Sequence, residues 1–177
     1  MKPESNSLQN EQWSQTIVNE LYQHNITYYC LAPGSRSMPL TYAVSSRVDV
    51  NTMVHFDERG CGFYALGIAK AIQHPVAIIT TSGTAVANLL PAVVEAFQSC
   101  IPLVILTADR PPELQGSGAN QTIDQVGIFG KYVATQLPLG CPNQSVCHLK
   151  TAIQQAVRIC VDSSQPIHVN CMFREPL

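Results

Sequence analysis

Hydrophobic residues recur along this chain with two spacings, one typical of helices and one typical of buried strands. Residues 8–24 place their apolar side chains on one helical face: Trp13, Ile17, Val18 and Leu21. Short runs at 26–32, 76–81 and 102–108 are instead almost continuously apolar. Such runs predict strands that are buried on both faces, as in a parallel sheet.

The predicted helices and strands alternate. The helices are expected at 8–24, 38–46, 57–73, 83–100 and 145–161, and the strands at 26–32, 52–56, 76–81, 102–108, 133–137 and 166–171. Pro91 should kink the fourth helix, and residues 109–125 form a long polar loop. The alternation predicts an α/β fold with an open, mostly parallel sheet and helices on both faces.

The composition limits the range of functions. The chain has 177 residues, enough for one domain, and only 12% of them are charged, against about 25% in typical proteins. Part of the surface is therefore expected to be covered by a partner chain or a further domain. A net charge of −2 gives no basic patch for nucleic acid, and no apolar run approaches the length of a membrane span.

The seven cysteines do not suggest a disulfide framework. Cys30, Cys61, Cys160 and Cys171 lie in predicted strands and helices, which is typical of free core thiols in a reducing, cytoplasmic compartment. Cys141 and Cys147 with His148 have no standard zinc-ligand spacing, so we expect no metal site in this chain.

The candidate chemistry follows the strands. Ligands of open α/β sheets bind beyond the carboxyl ends of the strands. The segments expected there are 33–37, 57–59, 81–84, 109–112 and 118–121. Two arginines, one carboxylate and several amide or hydroxyl groups should therefore converge at one edge.

Arg36 and Arg110 are the candidate anion ligands. A guanidinium group binds a carboxylate or phosphate in a bidentate manner. Each arginine could instead pair with a local acid such as Asp109. Two arginines at the same edge favour an anionic ligand.

Glu58 is the leading candidate for proton transfer, because it precedes the long apolar segment 62–72. A carboxylic acid in such a place can exchange a proton with a ring nitrogen near neutral pH. Alternatively, Asp57 caps the helix, and Glu58 lies in its first turn only because the helix dipole stabilises a negative charge there. Ser82-Gly83-Thr84 has two interpretations as well, an anion site on backbone N–H groups or a simple glycine turn.

One motif is misleading. Gly60-Cys61-Gly62 with Ala65 fits a dinucleotide-binding fingerprint, but the next strand ends without the required acidic residue. Asp57 and Glu58 would also repel a pyrophosphate. Dinucleotide binding is therefore not expected.

Five motifs carry a family resemblance. They are Ala32-Pro-Gly-Ser-Arg-Ser37, His55-Phe-Asp-Glu-Arg-Gly60, Thr81-Ser-Gly-Thr-Ala-Val-Ala-Asn88, Leu106-Thr-Ala-Asp-Arg-Pro-Pro-Glu-Leu114 and Gly118-Ala-Asn-Gln121. In this order they resemble the N-terminal pyrimidine-binding domain of thiamine-diphosphate enzymes. They are most similar to the branch that acts in menaquinone biosynthesis.

The resemblance implies roles for individual residues. Glu58 matches the catalytic glutamate that binds the aminopyrimidine ring of thiamine diphosphate. Substrate-facing positions of the family match Ser35, Arg36, Arg110, Asn120 and Gln121. The implied reaction decarboxylates 2-oxoglutarate and adds the resulting four-carbon unit to isochorismate.

The resemblance also implies what is missing. The family's diphosphate-binding half begins with Gly-Asp-Gly and binds Mg²⁺, and no such motif occurs in residues 1–177. We therefore expect one pyrimidine-binding domain that is inactive alone and that works with its missing domains and a second identical subunit. Two alternatives stay open, a separate subunit of a two-chain 2-oxo acid decarboxylase and a non-catalytic carboxylate-binding module.

Overall fold

A computed structural model describes residues 5–142 and 146–177 as a six-stranded sheet covered by helices. The strands are β1 (Tyr28–Leu31), β2 (Asn51–Val54), β3 (Val76–Thr80), β4 (Leu103–Asp109), β5 (Thr135–Leu139) and β6 (Ile167–Met172). The helices are α1 (Asn6–Gln23), α2 (Met38–Ser45), α3 (Glu58–Ile72), α4 (Thr84–Ala87), α5 (Leu90–Gln98) and α6 (Val146–Ser163).

All the strand pairs are parallel, in the order β2-β1-β3-β4-β6-β5. This confirms the predicted fold class. Because the chain runs from β1 outward to β2 and then returns to β3 on the other side, the strand order reverses between β1 and β3. Such a reversal opens a crevice at the carboxyl ends of the strands, where ligands of doubly wound sheets bind.

Two separate cores lie on the two faces of the sheet. α1, α2 and α6 contribute to the first, and α3 and α5 contribute to the second. Successive strand residues alternate between them, since Ala77 and Ile79 belong to the first core and Ile78 to the second. Burial on both faces explains why these strands are continuously apolar in sequence.

The prediction of one kinked helix at 83–100 is wrong. The structure has two helices, α4 and α5, which are separated at Asn88 and Leu89. Pro91 lies in the first turn of α5, where its missing N–H removes no helical hydrogen bond. Proline therefore starts a new helix here instead of bending a long one. The remaining predicted elements are present within a few residues, although Ser145 at the predicted start of α6 lies outside the described residues.

The cysteines behave as core thiols where the sequence placed them in helices and strands. Cys30, Cys61, Cys160 and Cys171 are buried, and all seven cysteines are free. Burial raises the pKa of Cys30 to about 11, which keeps its thiol protonated at neutral pH. None of the helices at 5–142 and 146–177 combines the length and apolar character that crossing a bilayer requires.

Candidate functional site at the carboxyl edge of the sheet

Glu58 is the first residue of α3, directly after the turn that follows β2. Asp57 caps the helix, as its carboxylate accepts the backbone N–H of Arg59 at 2.9 Å. The capping interpretation of Asp57 is thus confirmed. Glu58 is half-buried, and its Oε2 accepts a hydrogen bond of 3.2 Å from Nδ2 of Asn88. One carboxylate oxygen is therefore held in place by the short segment between α4 and α5.

The turn before Glu58 is fixed by a histidine. Nδ1 of His55 lies 2.9 Å from the carbonyl oxygen of Asp57 and 3.2 Å from its backbone nitrogen. The same ring lies against Gly60, where an added Cβ would come within 2.3 Å of the ring carbon Cε1. Only glycine allows the imidazole to pack this closely. The imidazole of His55 is thereby packed against the first turn of α3.

Exposed apolar side chains surround this turn. All four residues of β2 are exposed, and Phe56 retains 89% of its accessible surface. Phe63 and Tyr64 of α3 are exposed as well. The low charge content predicted a surface covered by another chain or domain, and this β2–α3 surface is the candidate for it.

Arg36 is buried, with 6% of its surface exposed. Its Nη1 donates to the carbonyl of Phe173 at 3.0 Å, and its Nη2 donates to Oε1 of Glu175 at 2.7 Å. Nε of Arg36 has no hydrogen-bond partner among the described residues. Two of the guanidinium nitrogens are thus used by the last few residues of the chain. Arg36 therefore has an acidic partner within the fold, and this partner is Glu175 and not Asp109.

Arg110 follows β4 and is only half-buried. Its Nη1 donates to Oγ of Ser82, which in turn donates to the carbonyl of Gln121 at 3.0 Å. The side chain of Gln121 returns a hydrogen bond of 3.0 Å to the carbonyl of Ser82. The pKa of Arg110 lies below its ordinary value because of burial and, next, the positive charge of Arg36. The negative charges of Asp109 and Glu175 act on Arg110 in the opposite direction and offset part of this positive potential.

The structure joins some of the predicted site residues directly and leaves others at the rim. Ser82, Arg110 and Gln121 are linked by hydrogen bonds. Ser35 and Asn120 are exposed, in the loops after β1 and β4. Exposed polar side chains at the rim of a crevice are free to reach a ligand.

A buried polar network supports this edge, and the sequence analysis missed most of it. Nδ2 of Asn170 donates to Asp109 at 2.8 Å, and Oδ1 of Asn170 accepts from Thr107 and from Gln125, both at 2.8 Å. The Thr107 hydroxyl also bonds Nε2 of His168 at 2.8 Å. One feature of the sequence could have indicated this network: polar and apolar residues alternate through the ends of β4 and β6.

Burial controls protonation within this network. It raises the pKa of Asp109 above its ordinary value, although hydrogen bonds from Asn170, Arg110 and Gln115 act in the opposite direction. It also lowers the pKa of His168 to about 4. His168 is therefore neutral at physiological pH and serves as a hydrogen-bonding group inside the fold.

Comparison with known proteins gives this geometry a context. The profile of the family described as "Thiamine pyrophosphate enzyme, N-terminal TPP binding domain" matches residues 12–128. A protein of Shewanella baltica is 50% identical over 179 residues, and one of Shewanella oneidensis is 49% identical over the same length. Both are named 2-succinyl-5-enolpyruvyl-6-hydroxy-3-cyclohexene-1-carboxylate synthase.

These alignments cover the whole of this chain but only 30% of each relative. The chain thus spans about a third of the length of the curated relatives that it matches. The family profile, in contrast, covers well over half of the chain and includes the turns that carry Ser35, Glu58, Ser82 and Arg110. The chain therefore belongs to the thiamine pyrophosphate enzymes and matches their N-terminal TPP binding domain.

Proposed function

We propose that this chain is the pyrimidine-binding part of a thiamine-diphosphate-dependent 2-succinyl-5-enolpyruvyl-6-hydroxy-3-cyclohexene-1-carboxylate synthase. The complete enzyme would decarboxylate 2-oxoglutarate and transfer the remaining unit to isochorismate in menaquinone biosynthesis. The single observation that carries the proposal is the Glu58 carboxylate, which Asn88 holds at the start of α3 inside a domain of this family.

The surroundings of Glu58 suit the aminopyrimidine ring of the cofactor. Asn88 binds one carboxylate oxygen, Oε2, and among the described residues no side chain donates to the other. That oxygen can face a ring nitrogen and hold a proton between the two atoms. Apolar side chains of the β2–α3 surface, such as Phe56 and Phe63, can cover the ring and exclude water. When bound, thiamine diphosphate supplies the electron sink that a 2-oxo acid needs in order to lose carbon dioxide.

The arginines suit the proposed substrates, which are both carboxylates. Arg110 has the more accessible guanidinium of the two, and Ser82 holds one of its nitrogens. The charge of Arg36 adds to the positive potential at the same edge. Ser35, Asn120 and Gln121 are exposed there and can donate hydrogen bonds to hydroxyl or carboxylate oxygens. In this proposal Arg110 binds a substrate carboxylate, and the rim residues orient the rest of the molecule.

The remaining parts of the proposal concern the whole enzyme. Residues 1–177 act as one domain, while Mg²⁺ and the diphosphate group are held by a further domain outside these residues. The β2–α3 surface faces that domain in a second identical subunit, and the enzyme works in the cytoplasm. The seven free thiols and the exposed apolar surface are consistent with these expectations.

The direct test is an assay of the complete gene product that contains this chain. We expect consumption of isochorismate that requires 2-oxoglutarate, thiamine diphosphate and Mg²⁺ together, and no turnover by residues 1–177 alone. An enzyme that decarboxylates 2-oxoglutarate but leaves isochorismate unchanged would point to the two-chain decarboxylase type. Thermal stabilisation by carboxylates, with no response to thiamine diphosphate in the complete protein, would point to a non-catalytic carboxylate-binding module.

A further inference from the structure

Gln125 ties together three segments that meet at the candidate site. Its Oε1 accepts the backbone N–H of Gly83 at 2.8 Å, in the turn between β3 and α4. Its Nε2 donates to the carbonyl of Ala108 in β4 at 3.1 Å and to Oδ1 of Asn170 in β6 at 2.8 Å. Only 1% of the Gln125 surface is exposed, so water does not compete for these bonds. Because one side of the amide must accept and the other must donate, its orientation is fixed.

The turn at Gly83 depends on this support. Gly83 has a φ of 80° and a ψ of −141°, a conformation that is open essentially only to glycine. An added Cβ would lie 2.8 Å from Cγ of Gln121 and 3.1 Å from its carbonyl oxygen. Glycine has no side chain to restrain the turn, and its N–H would be buried without a partner if Gln125 were absent. The Gln125 amide therefore restrains the N–H end of this peptide unit, and Gln121 Nε2 restrains its carbonyl end, the Ser82 oxygen, at 3.0 Å.

Ser82 transmits the position of the turn to Arg110. It precedes Gly83 directly, is fully buried, and accepts a hydrogen bond from Nη1 of Arg110. The Ser82 hydroxyl also donates to the carbonyl of Gln121 at 3.0 Å, so its contact with the guanidinium depends on where the backbone of this turn holds Ser82. The path from Gln125 to Arg110 thus consists of one hydrogen bond, one peptide unit and one further hydrogen bond.

We propose that Gln125 is a positioning residue for anion recognition. It holds the Ser82–Gly83 turn in the conformation that fixes the guanidinium of Arg110 for a carboxylate ligand. The anion part of this inference rests on the proposed function, whereas the support of the turn does not. Gln125 itself need not touch substrate or cofactor.

Kinetics of the complete enzyme test the positioning role with Gln125→Met, which keeps the size of the side chain and removes all three hydrogen bonds. The KM values for 2-oxoglutarate and isochorismate should rise about five- to thirtyfold, the effect of losing one or two hydrogen bonds. The kcat and the exchange of the cofactor's C2 proton should stay within about twofold. Thr107→Val is the matched control, because it removes the bonds of Thr107 to Asn170 and His168 in the same network, and Thr107 does not bond Gly83.

A double-mutant cycle tests the path. Ser82→Ala should raise the same KM values, and combining it with Gln125→Met should add little, since both changes break one path. If Gln125→Met does not fold, the KM values of Ser82→Ala still test whether this path positions Arg110. Normal KM values in Ser82→Ala, additive effects in the double mutant, or an equal rise in Thr107→Val would each overturn the positioning role.

Hydrogen exchange at the Gly83 amide separates this inference from the proposed function. The amide should be protected in the wild type and in Thr107→Val, and it should exchange at least about tenfold faster in Gln125→Met. Unchanged protection in Gln125→Met would refute the support of the turn, whatever the substrate is. A wild-type enzyme that is inactive on both substrates would refute the proposed function, and the exchange result would still decide the role of Gln125.

Discussion

Replacement of Glu58 by glutamine tests the proton-transfer role proposed for this residue separately from its structural role. The amide has nearly the shape of the carboxylate but cannot exchange a proton with a ring nitrogen. Removing a positioned acid–base group typically costs about 10²–10⁴ in rate, or about 3–5 kcal/mol in the activation barrier. We therefore expect a loss of that size in kcat for the complete enzyme.

The structural cost of the same change should be much smaller. Asp57 and not Glu58 caps α3, so the hydrogen bond to the Arg59 N–H is retained. The hydrogen bond with Asn88 can be kept if both side-chain amides are suitably oriented. What is lost is the interaction of a negative charge with the helix N-terminus, worth about 0.3–1 kcal/mol. The effect on the barrier should therefore exceed the effect on the free energy of unfolding by several kcal/mol.

The informative assay is the rate at which the cofactor's C2 proton exchanges with deuterium in the complete enzyme. This exchange takes place before any substrate binds, so its rate reports on Glu58 without a contribution from the arginines. Glu95→Gln is a suitable control, because Glu95 is an exposed carboxylate of α5 that bonds only locally to Ser99 at 2.9 Å. A wild-type exchange rate in Glu58→Gln would refute the proton-transfer role. A large loss of thermal stability would show instead that Glu58 is mainly structural.

Four further results are expected. Arg110→Ala should raise the substrate KM about ten- to a hundredfold, with partial rescue by Arg110→Lys, and normal kcat/KM values would exclude an anion-binding role. Arg36→Ala should lower the Tm, because this buried guanidinium bonds a carbonyl and a carboxylate, and an unchanged Tm would show that those bonds do not stabilise the fold. Gly60→Ala should destabilise by about 1–3 kcal/mol in urea denaturation, as its Cβ would meet the His55 ring at 2.3 Å; a neutral result would mean that the ring moves freely. The pKa of His168 is about 4 in the folded chain and 6.5 when unfolded, so between these pH values the unfolded chain binds one more proton than the folded chain. The free energy of unfolding should therefore fall by about 3 kcal/mol as the pH drops from 6.5 to 4. Equal urea midpoints at pH 7 and 4.5 would contradict this.

Local sequence was sufficient to predict most of the fold. Continuous apolar runs predicted strands that are buried on both faces, and β1, β3 and β4 are such strands. The apolar face of α1 and the Asp57 cap of α3 could also be predicted from local sequence. The break between α4 and α5 was not, because the pattern fits either a kink or a new start at Pro91. Only packing against the sheet decides between one kinked helix and two separate helices.

The candidate site was predictable in its location but not in its internal connections. The rule that ligands bind at the carboxyl ends of parallel strands brought Glu58, Arg36 and Arg110 to one edge. It did not reveal that Arg36 is buried against Phe173 and Glu175, which lie more than 130 residues later in the chain. It also gave no reason to notice Gln125, a single polar residue in a long polar loop.

The difference has a physical cause. Backbone geometry and burial repeat every two or 3.6 residues, so the sequence by itself determines the helices, the strands and the edge at which their ends meet. A hydrogen bond between Gln125 and Gly83, or between Arg36 and Glu175, depends on distances of about 3 Å between residues that are remote in sequence. Those distances are set only when both faces of the sheet have packed. Which arginine bonds the Ser82 hydroxyl and which one bonds Phe173 and Glu175 was therefore decided by the tertiary structure alone.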